Sequence, residues 1–215
     1  MTDTAEPGSF EAQEGATGEA PAPADDQPLI GTPERVTDDA FAYEEQPLTK
    51  TSPVDTGVIE SVLKGLGVGF VHRVFPDPVR DPKQVALRLR AGVRQINRTL
   101  VLRGRRSGEG FLFIINGRNQ VSLRKLMRAT GEEFEKPDAK FMKEIVGYLP
   151  DGVPPFGHRH KLRVYADKDV MSFHNGWFPC GSSRVWMFLR TDTMLDASEG
   201  KLIDLKTVPA KKMTG

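Results

Sequence analysis

The distribution of apolar positions divides the chain near Thr51. Before that point Phe10, Leu29, Ile30 and Phe41 are too sparse to follow a helical or strand period, whereas beyond it short segments alternate between the two. Asp55 or Thr56 is placed to cap a first helix whose apolar residues Val58, Ile59, Val62, Leu63 and Leu66 fall at helical spacing, with Gly67 as its end. Residues 70–75 read as a strand. Asp81 followed by Pro82 predicts a second helix start, with Val85, Ala86 and Leu89 as its buried stripe and Gly92 as its stop. Residues 95–103 and 110–116 are apolar and β-rich and flank the polar stretch 104–109, which predicts a hairpin. Helical stripes recur over 122–130 and 138–146, with Gly131 and Gly147 as stops, and strand-like runs over 161–166, 173–178, 184–189 and 201–205. No internal repeat is visible.

This pattern predicts one mixed α/β domain of the α+β kind over residues 52–207. About six strands in a central sheet or barrel, with four flanking helices, account for the signals. Residues 1–51 read as a disordered acidic tail and 208–215 as a short C-terminal tail. Trp177, Phe178, Trp186 and Phe188 alternate along two strand signals, a spacing that favours core positions over stacking on a nucleotide base.

Charge sharpens the division. Residues 1–50 hold 12 acidic and 2 basic residues, while residues 51–215 hold 17 acidic and 28 basic ones, so the net charge of +1 hides a basic domain behind an acidic segment. A basic surface favours an anionic partner such as RNA, because phosphate contacts release condensed counterions. Arg103, Arg105 and Arg106 cluster at the predicted hairpin turn, either as a solvated run or as a contact to an RNA backbone. The single cysteine, Cys180, excludes an internal disulfide and makes the cytoplasm the expected compartment. No apolar run of membrane-spanning length and no signal-peptide pattern is visible, so neither a membrane partner nor export is expected.

Three constellations carry candidate chemistry. His158 and His160 share a face of an extended segment and, with His174 or Cys180, could approach a metal, but they lack a third ligand at a recognised spacing. Nothing in the sequence fixes a contact between Cys180 and His174, so a thiolate nucleophile has little support. The loop Pro150-Asp151-Gly152-Val153-Pro154-Pro155-Phe156-Gly157 is more telling. Prolines stiffen it, and glycines let backbone N–H groups approach a ligand with no Cβ in the way. Such amides suit a developing oxyanion.

The segments QINRTLVLRG (95–104), FLFIINGRNQVSLRKL (111–126), VGYLPDGVPPFGH (146–158), LRVYADKDVM (162–171) and GWFPCGSSRVWMFL (176–189), in this order and spacing, resemble the YbaK/ProX-like family of aminoacyl-tRNA deacylases. The resemblance runs from Gly57 to about Lys206 and implies a YbaK-like fold and hydrolysis, in trans, of the ester joining an amino acid to a mischarged tRNA. It implies no cofactor and no metal, the aminoacylated 3′ end of tRNA as partner, and an aminoacyl-tRNA synthetase as a further candidate partner. Arg98, Asp151, Gly152 and Pro155 stand at catalytic positions. Val153, Phe156, Gly157, His158, Trp177, Cys180, Gly181 and Ser182 stand where substrate would bind, and Arg103, Arg105 and Arg106 where the tRNA would.

Two positions depart from the family. Arg98 stands where it carries a lysine, and Asp151-Gly152 where it carries two glycines. Arginine keeps the charge but does not exchange a proton at neutral pH. A carboxylate at position 151 opposes an oxyanion unless it turns away, pairs with Arg98 or binds the substrate's ammonium group. A catalytically inactive relative that binds tRNA or a synthetase is the alternative these departures raise.

Overall fold

The computed structural model describes residues 56–69 and 71–207. The expected tails, Asp55 and Phe70 lie outside the described residues. The first helix, α1 (Gly57–Gly65), starts at Thr56, whose hydroxyl bonds the Glu60 carboxylate 2.8 Å away, and buries Ile59 and Leu63. After β1 (Val71–Val74), α2 (Pro82–Leu89) begins as expected, with the Asp81 carboxylate accepting from the Lys83 amide. It ends earlier than Gly92. Arg90 takes the left-handed conformation at φ 52°, and Gly92 instead opens a 3-10 turn, its amide donating to Gln95 Oε1.

The hairpin forms from β2 (Asn97–Gly104) and β3 (Gly110–Asn116), antiparallel from Asn97 opposite Asn116 to Arg103 opposite Gly110. All seven residues of β3 are buried, as its unbroken apolar run demands of a strand covered on both faces. Helix α3 (Leu123–Thr130) is capped by Ser122 and ended by Gly131 in the left-handed region. A two-residue strand, β4 (Phe134–Glu135), follows. The predicted helix from Asp138 begins as α4 (Ala139–Phe141), widens into a π-helix over Met142–Val146, and stops at Gly147, φ 85°. Strand β5 (Arg163–Asp167) leads through a 3-10 turn to β6 (Asn175–Ser182) and β7 (Val185–Arg190), then to α5 (Thr191–Ser198) and β8 (Lys201–Ile203).

The single central sheet or barrel expected from the sequence resolves into two sheets. One has three strands in the order β1-β7-β6, the other five in the order β4-β2-β3-β5-β8, and no barrel closes. The β3–β5 and β5–β8 pairings are parallel, the others antiparallel. A parallel bridge between Ile96 and Trp177 links the two sheets at the start of β2. Strand β4 is too short to show a period, and α5 was missed because Thr-Asp-Thr-Met-Leu-Asp-Ala-Ser contains mostly weak helix formers behind an arginine N-cap. Burial of Thr191 and Met194 holds that helix in place.

Three apolar clusters result. The largest lies where Val101, Leu112 and Ile114 of the hairpin meet Phe178, Cys180 and Met187 of the smaller sheet, closed by Ile59 and Leu63 of α1. Leu102, Phe111, Phe113 and Ile115, on the other face of the hairpin, pack with Leu126 and Tyr165. The third sets Val85 and Ala86 of α2 against Trp186 and Phe75. Phe178 and Trp186 are thus core residues, while Trp177 and Phe188 are half-buried and pack on each other, ring centres 5.0 Å apart.

Candidate functional site

The loop 150–157 is fixed from four sides through its carbonyl groups. Thr99 Oγ1 of β2 donates to the Val153 carbonyl at 2.7 Å, and the Gly181 amide of β6 donates to the Gly152 carbonyl at 2.9 Å. The Pro154 carbonyl lies 2.8 Å from His158 Nε2, and Tyr148 Oη donates to the Gly157 carbonyl at 3.0 Å. With these acceptors held by the protein, the amides of Asp151, Gly152, Phe156 and Gly157 make no hydrogen bond among the described residues. Pro154 and Pro155 have no N–H to offer. A rigid turn with unspent donors is the kind of backbone that binds anionic oxygen.

Gly152 makes this arrangement possible. Its φ is 104°, and a Cβ there would lie 2.1 Å from the Ser182 carbonyl carbon and 2.4 Å from its Cα. Backbone therefore rests directly on backbone. The receiving strand is itself irregular, since the β6–β7 register shifts between Pro179 and Ser182, and Gly181 adopts φ 86°. The bulge brings the β6 turn against the loop. On its other side the same turn is held by the segment after β1, through Val79 N–H to the Ser183 carbonyl and Phe75 N–H to the Arg184 carbonyl.

That segment also answers the question of the Asp151 charge. The carboxylate pairs with Arg80, Nε to Oδ2 2.5 Å, and not with Arg98. Arg98 leaves β2 on the opposite side. Thr99 and Val101 face the main core and the loop, while Leu100 and Leu102 face the second cluster, and the Arg98 guanidinium donates to the Asn119 carbonyl at 2.9 Å. Strand alternation makes this separation unavoidable.

Of the other residues singled out in the sequence, Pro155 is buried in the loop and Val153, Phe156 and Cys180 are buried in the main core, so these side chains support the loop from beneath. Gly157, His158, Trp177, Gly181 and Ser182 are half-buried. Burial in the apolar core, aided by the charge of Glu60, pushes the Cys180 thiol up to about 12, which leaves no thiolate for attack at neutral pH. Desolvation lowers the His158 imidazole below its ordinary value, partly offset by its bond to Pro154. Among the described residues, no three His, Cys, Asp or Glu side chains are grouped to hold a metal. No helix among them is long and apolar enough to cross a membrane.

The hairpin-turn arginines are partly committed elsewhere. Arg103 lies 3.7 Å from Glu135 and over the Phe141 ring, and Arg106 pairs with Glu132 and donates to the Gly131 carbonyl. Arg105 bonds Glu133 through its backbone and leaves its side chain exposed. Sequence reasoning passed over Thr99 and Arg80. Thr99 was findable, since it shares a strand face with Val101; Arg80, 71 residues from its partner, gave no local signal.

Residues 76–197 match the pattern of a family described as the aminoacyl-tRNA editing domain. Among solved structures, a proposed trans-editing enzyme for prolyl tRNA synthetase is similar at 28% identity and TM-score 0.66, with 74% of this chain and 99% of that one covered. A protein used as a scaffold for presenting grafted linear epitopes is similar at 27% identity and TM-score 0.65, over the same shares. A hypothetical protein at 18% identity and TM-score 0.62, covering 70% of this chain and 99% of its own, shares the fold. No curated protein matches the chain.

Two outcomes follow from the site's geometry. Gly152→Ala adds a Cβ inside the Ser182 backbone at a positive φ, so it should lower unfolding free energy by about 3 kcal/mol or more in denaturant titration. His158 gives a pH signature. Its folded pKa lies below that of the unfolded chain, so the unfolded state binds the proton more tightly and stability falls as pH drops through the ordinary imidazole value of 6.5. Melting temperature should fall between about pH 7.5 and about pH 5.5, and by less in His158→Gln.

Proposed function

The chain belongs to the aminoacyl-tRNA editing domain family, and we propose that it hydrolyses, in trans, the ester of a mischarged tRNA at the loop 150–157. The observation that carries this reading is the loop's bonding pattern, in which carbonyls are turned into the protein and amides are left unspent. In the proposal the Asp151 and Gly152 amides receive the ester carbonyl oxygen as negative charge develops on it. Donors fixed before the reaction need no reorganisation when the charge appears. Pro155 holds the turn, and a water or a ribose hydroxyl of the substrate supplies the attacking oxygen. The half-buried Trp177, Gly181 and Ser182, beside the loop and on the same strand, are the proposed neighbours of the aminoacyl group, with Gly157 and His158 at the loop's far end.

Arg98 takes a different task from that of a group acting at the ester. Lying across β2 from the loop, it supplies positive charge toward the phosphate chain of the tRNA. Arg105 is the hairpin-turn arginine best placed to join it, because its guanidinium is exposed while Arg103 and Arg106 are paired. The proposal places the reaction in the cytoplasm, where charged tRNA is made. Arg80 is assigned a positioning role: by pairing with Asp151 it draws the carboxylate's charge away from the developing oxyanion.

A second reading keeps the tRNA and removes the turnover. Arg98 turned to Asn119 and the acid at position 151 favour it, in a chain that binds the aminoacylated end, or a synthetase, without hydrolysis. A panel of purified aminoacyl-tRNAs separates the two, with amino-acid release as the measurement. Release from at least one member supports hydrolysis. Binding without release from any, followed by release once Arg98→Lys and Asp151→Gly are combined, supports the second reading.

The Arg80–Asp151 pair gives the sharper test. Arg80→Ala should slow release about tenfold, or about 1.4 kcal/mol in the barrier, by exposing the oxyanion to an unpaired carboxylate. Adding Asp151→Asn should return most of that loss, a coupling read from the double-mutant cycle. Equal rates in wild type and Arg80→Ala would remove Arg80 from the mechanism.

A further inference from the structure

Across β2 from the loop lies a cavity of about 370 Å³ whose wall includes Arg94, Asn116, Arg118, Asn119, Asp169 and Lys206. Its lining contains no apolar side chain. Sites for organic ligands are predominantly apolar with a few placed polar groups, so this one is unsuited to a nucleobase or an amino-acid side chain. Three cations face one carboxylate. That carboxylate is already satisfied: Lys206 Nζ lies 3.0 and 2.9 Å from the two Asp169 oxygens, and Asn119 Nδ2 donates to Oδ2 at 2.9 Å. These bonds, Asn119's first, hold the Asp169 carboxyl below its ordinary range, so it stays ionised and spends Lys206.

The two arginines are left over. Arg94 and Arg118 form no ion pair with a carboxylate among the described residues, although Arg94 lies over the Phe173 ring, 5.4 Å from its centre. Stacking uses the guanidinium face and leaves its in-plane donors available. Both are positioned from below by one buried amide. Asn116, 5% exposed, donates through Nδ2 to the Arg94 carbonyl at 2.6 Å and accepts through Oδ1 from the Arg118 amide at 3.3 Å. Asn119 ties the cavity to β2, since its carbonyl receives the Arg98 guanidinium.

We infer that this cavity binds a phosphate group between Arg94 and Arg118. Planar guanidinium forks match phosphate oxygens in pairs, and a polar, open cavity lets the anion keep part of its hydration. The phosphate comes either from the backbone of an RNA or from a free phosphate. The RNA source rests on the editing reading above; phosphate binding itself does not.

The test uses the full chain and two probes, inorganic phosphate followed by calorimetry and deacylated tRNA followed by fluorescence anisotropy at several salt concentrations. Arg94→Gln combined with Arg118→Gln should keep the wild-type melting temperature, because both side chains are exposed. It should weaken tRNA binding at least about tenfold at low salt and flatten the slope of log K against log salt by about 1.4 to 1.8, the contribution of two charges. Arg128→Gln, on the exposed face of α3 and outside the cavity, sets the scale for loss of an unrelated surface charge. Loss of inorganic phosphate binding with tRNA binding unchanged identifies a free phosphate as the ligand. If the folded double variant binds both probes as the wild type does, or loses no more than Arg128→Gln, the inference is overturned. Failure of the wild type to release any amino acid from aminoacyl-tRNA leaves these binding results standing and removes only the editing reading.

Discussion

The site depends on one contact in which no side chain takes part, the backbone of Gly152 resting on that of Ser182. A Cβ at position 152 would fall within 2.1 Å of a carbonyl carbon, so the loop and the β6 turn are set at a distance only glycine permits. The rest follows from that approach. Close backbones allow the Gly181 amide to reach the Gly152 carbonyl, and the bulge before Ser182 supplies the bend that brings the strand there. Thr99 fixes the next carbonyl from the larger sheet, so the loop is anchored to both sheets across the main core. Cys180, Val153 and Phe156 fill the space beneath it.

Charge is arranged around this anchor on two sides of β2. On the loop side the one acidic intruder, Asp151, is met by Arg80, delivered by a segment that is itself pinned to the β6–β7 turn. On the other side Arg98 meets the Asn119 carbonyl at the edge of a basic cavity. Period-two alternation keeps the two sides apart, so a charge at position 98 serves the second and not the first. The substitution of the family's lysine by Arg98 therefore bears on how a polyanion is held, in this reading, more than on how an ester is cleaved.

Much of the fold was legible because local signals agreed with tertiary structure. Asp81-Pro82, Ser122 and Asp138 cap helices where the sequence places them, and the unbroken run Phe111 to Ile115 is a strand buried on both faces. What escaped was tertiary in origin. Helix α5 lacks both a capping residue and strong helix formers, the stop at Arg90 needed a non-glycine left-handed residue, and the split into two sheets depends on pairings between distant strands. The loop could be picked out from its glycines and prolines, but its carbonyl partners could not, except Thr99, which β2 alternation points inward. Arg80 as the partner of Asp151 has no sequence signature, because it arises from the path of the chain after β1.

The central claim is that the loop acts through donors held in place from outside it, and Thr99 is the place to measure that. Single-turnover release of amino acid from a substrate aminoacyl-tRNA should be compared for wild type, Thr99→Ser and Thr99→Val. The account predicts that serine, which keeps the hydroxyl, stays near the wild-type rate. Valine, of the same shape but unable to donate to the Val153 carbonyl, should be slower by about 10²-fold with the protein still folded, the scale of a small misplacement of reacting groups. Equal rates for Thr99→Val and Thr99→Ser would contradict it.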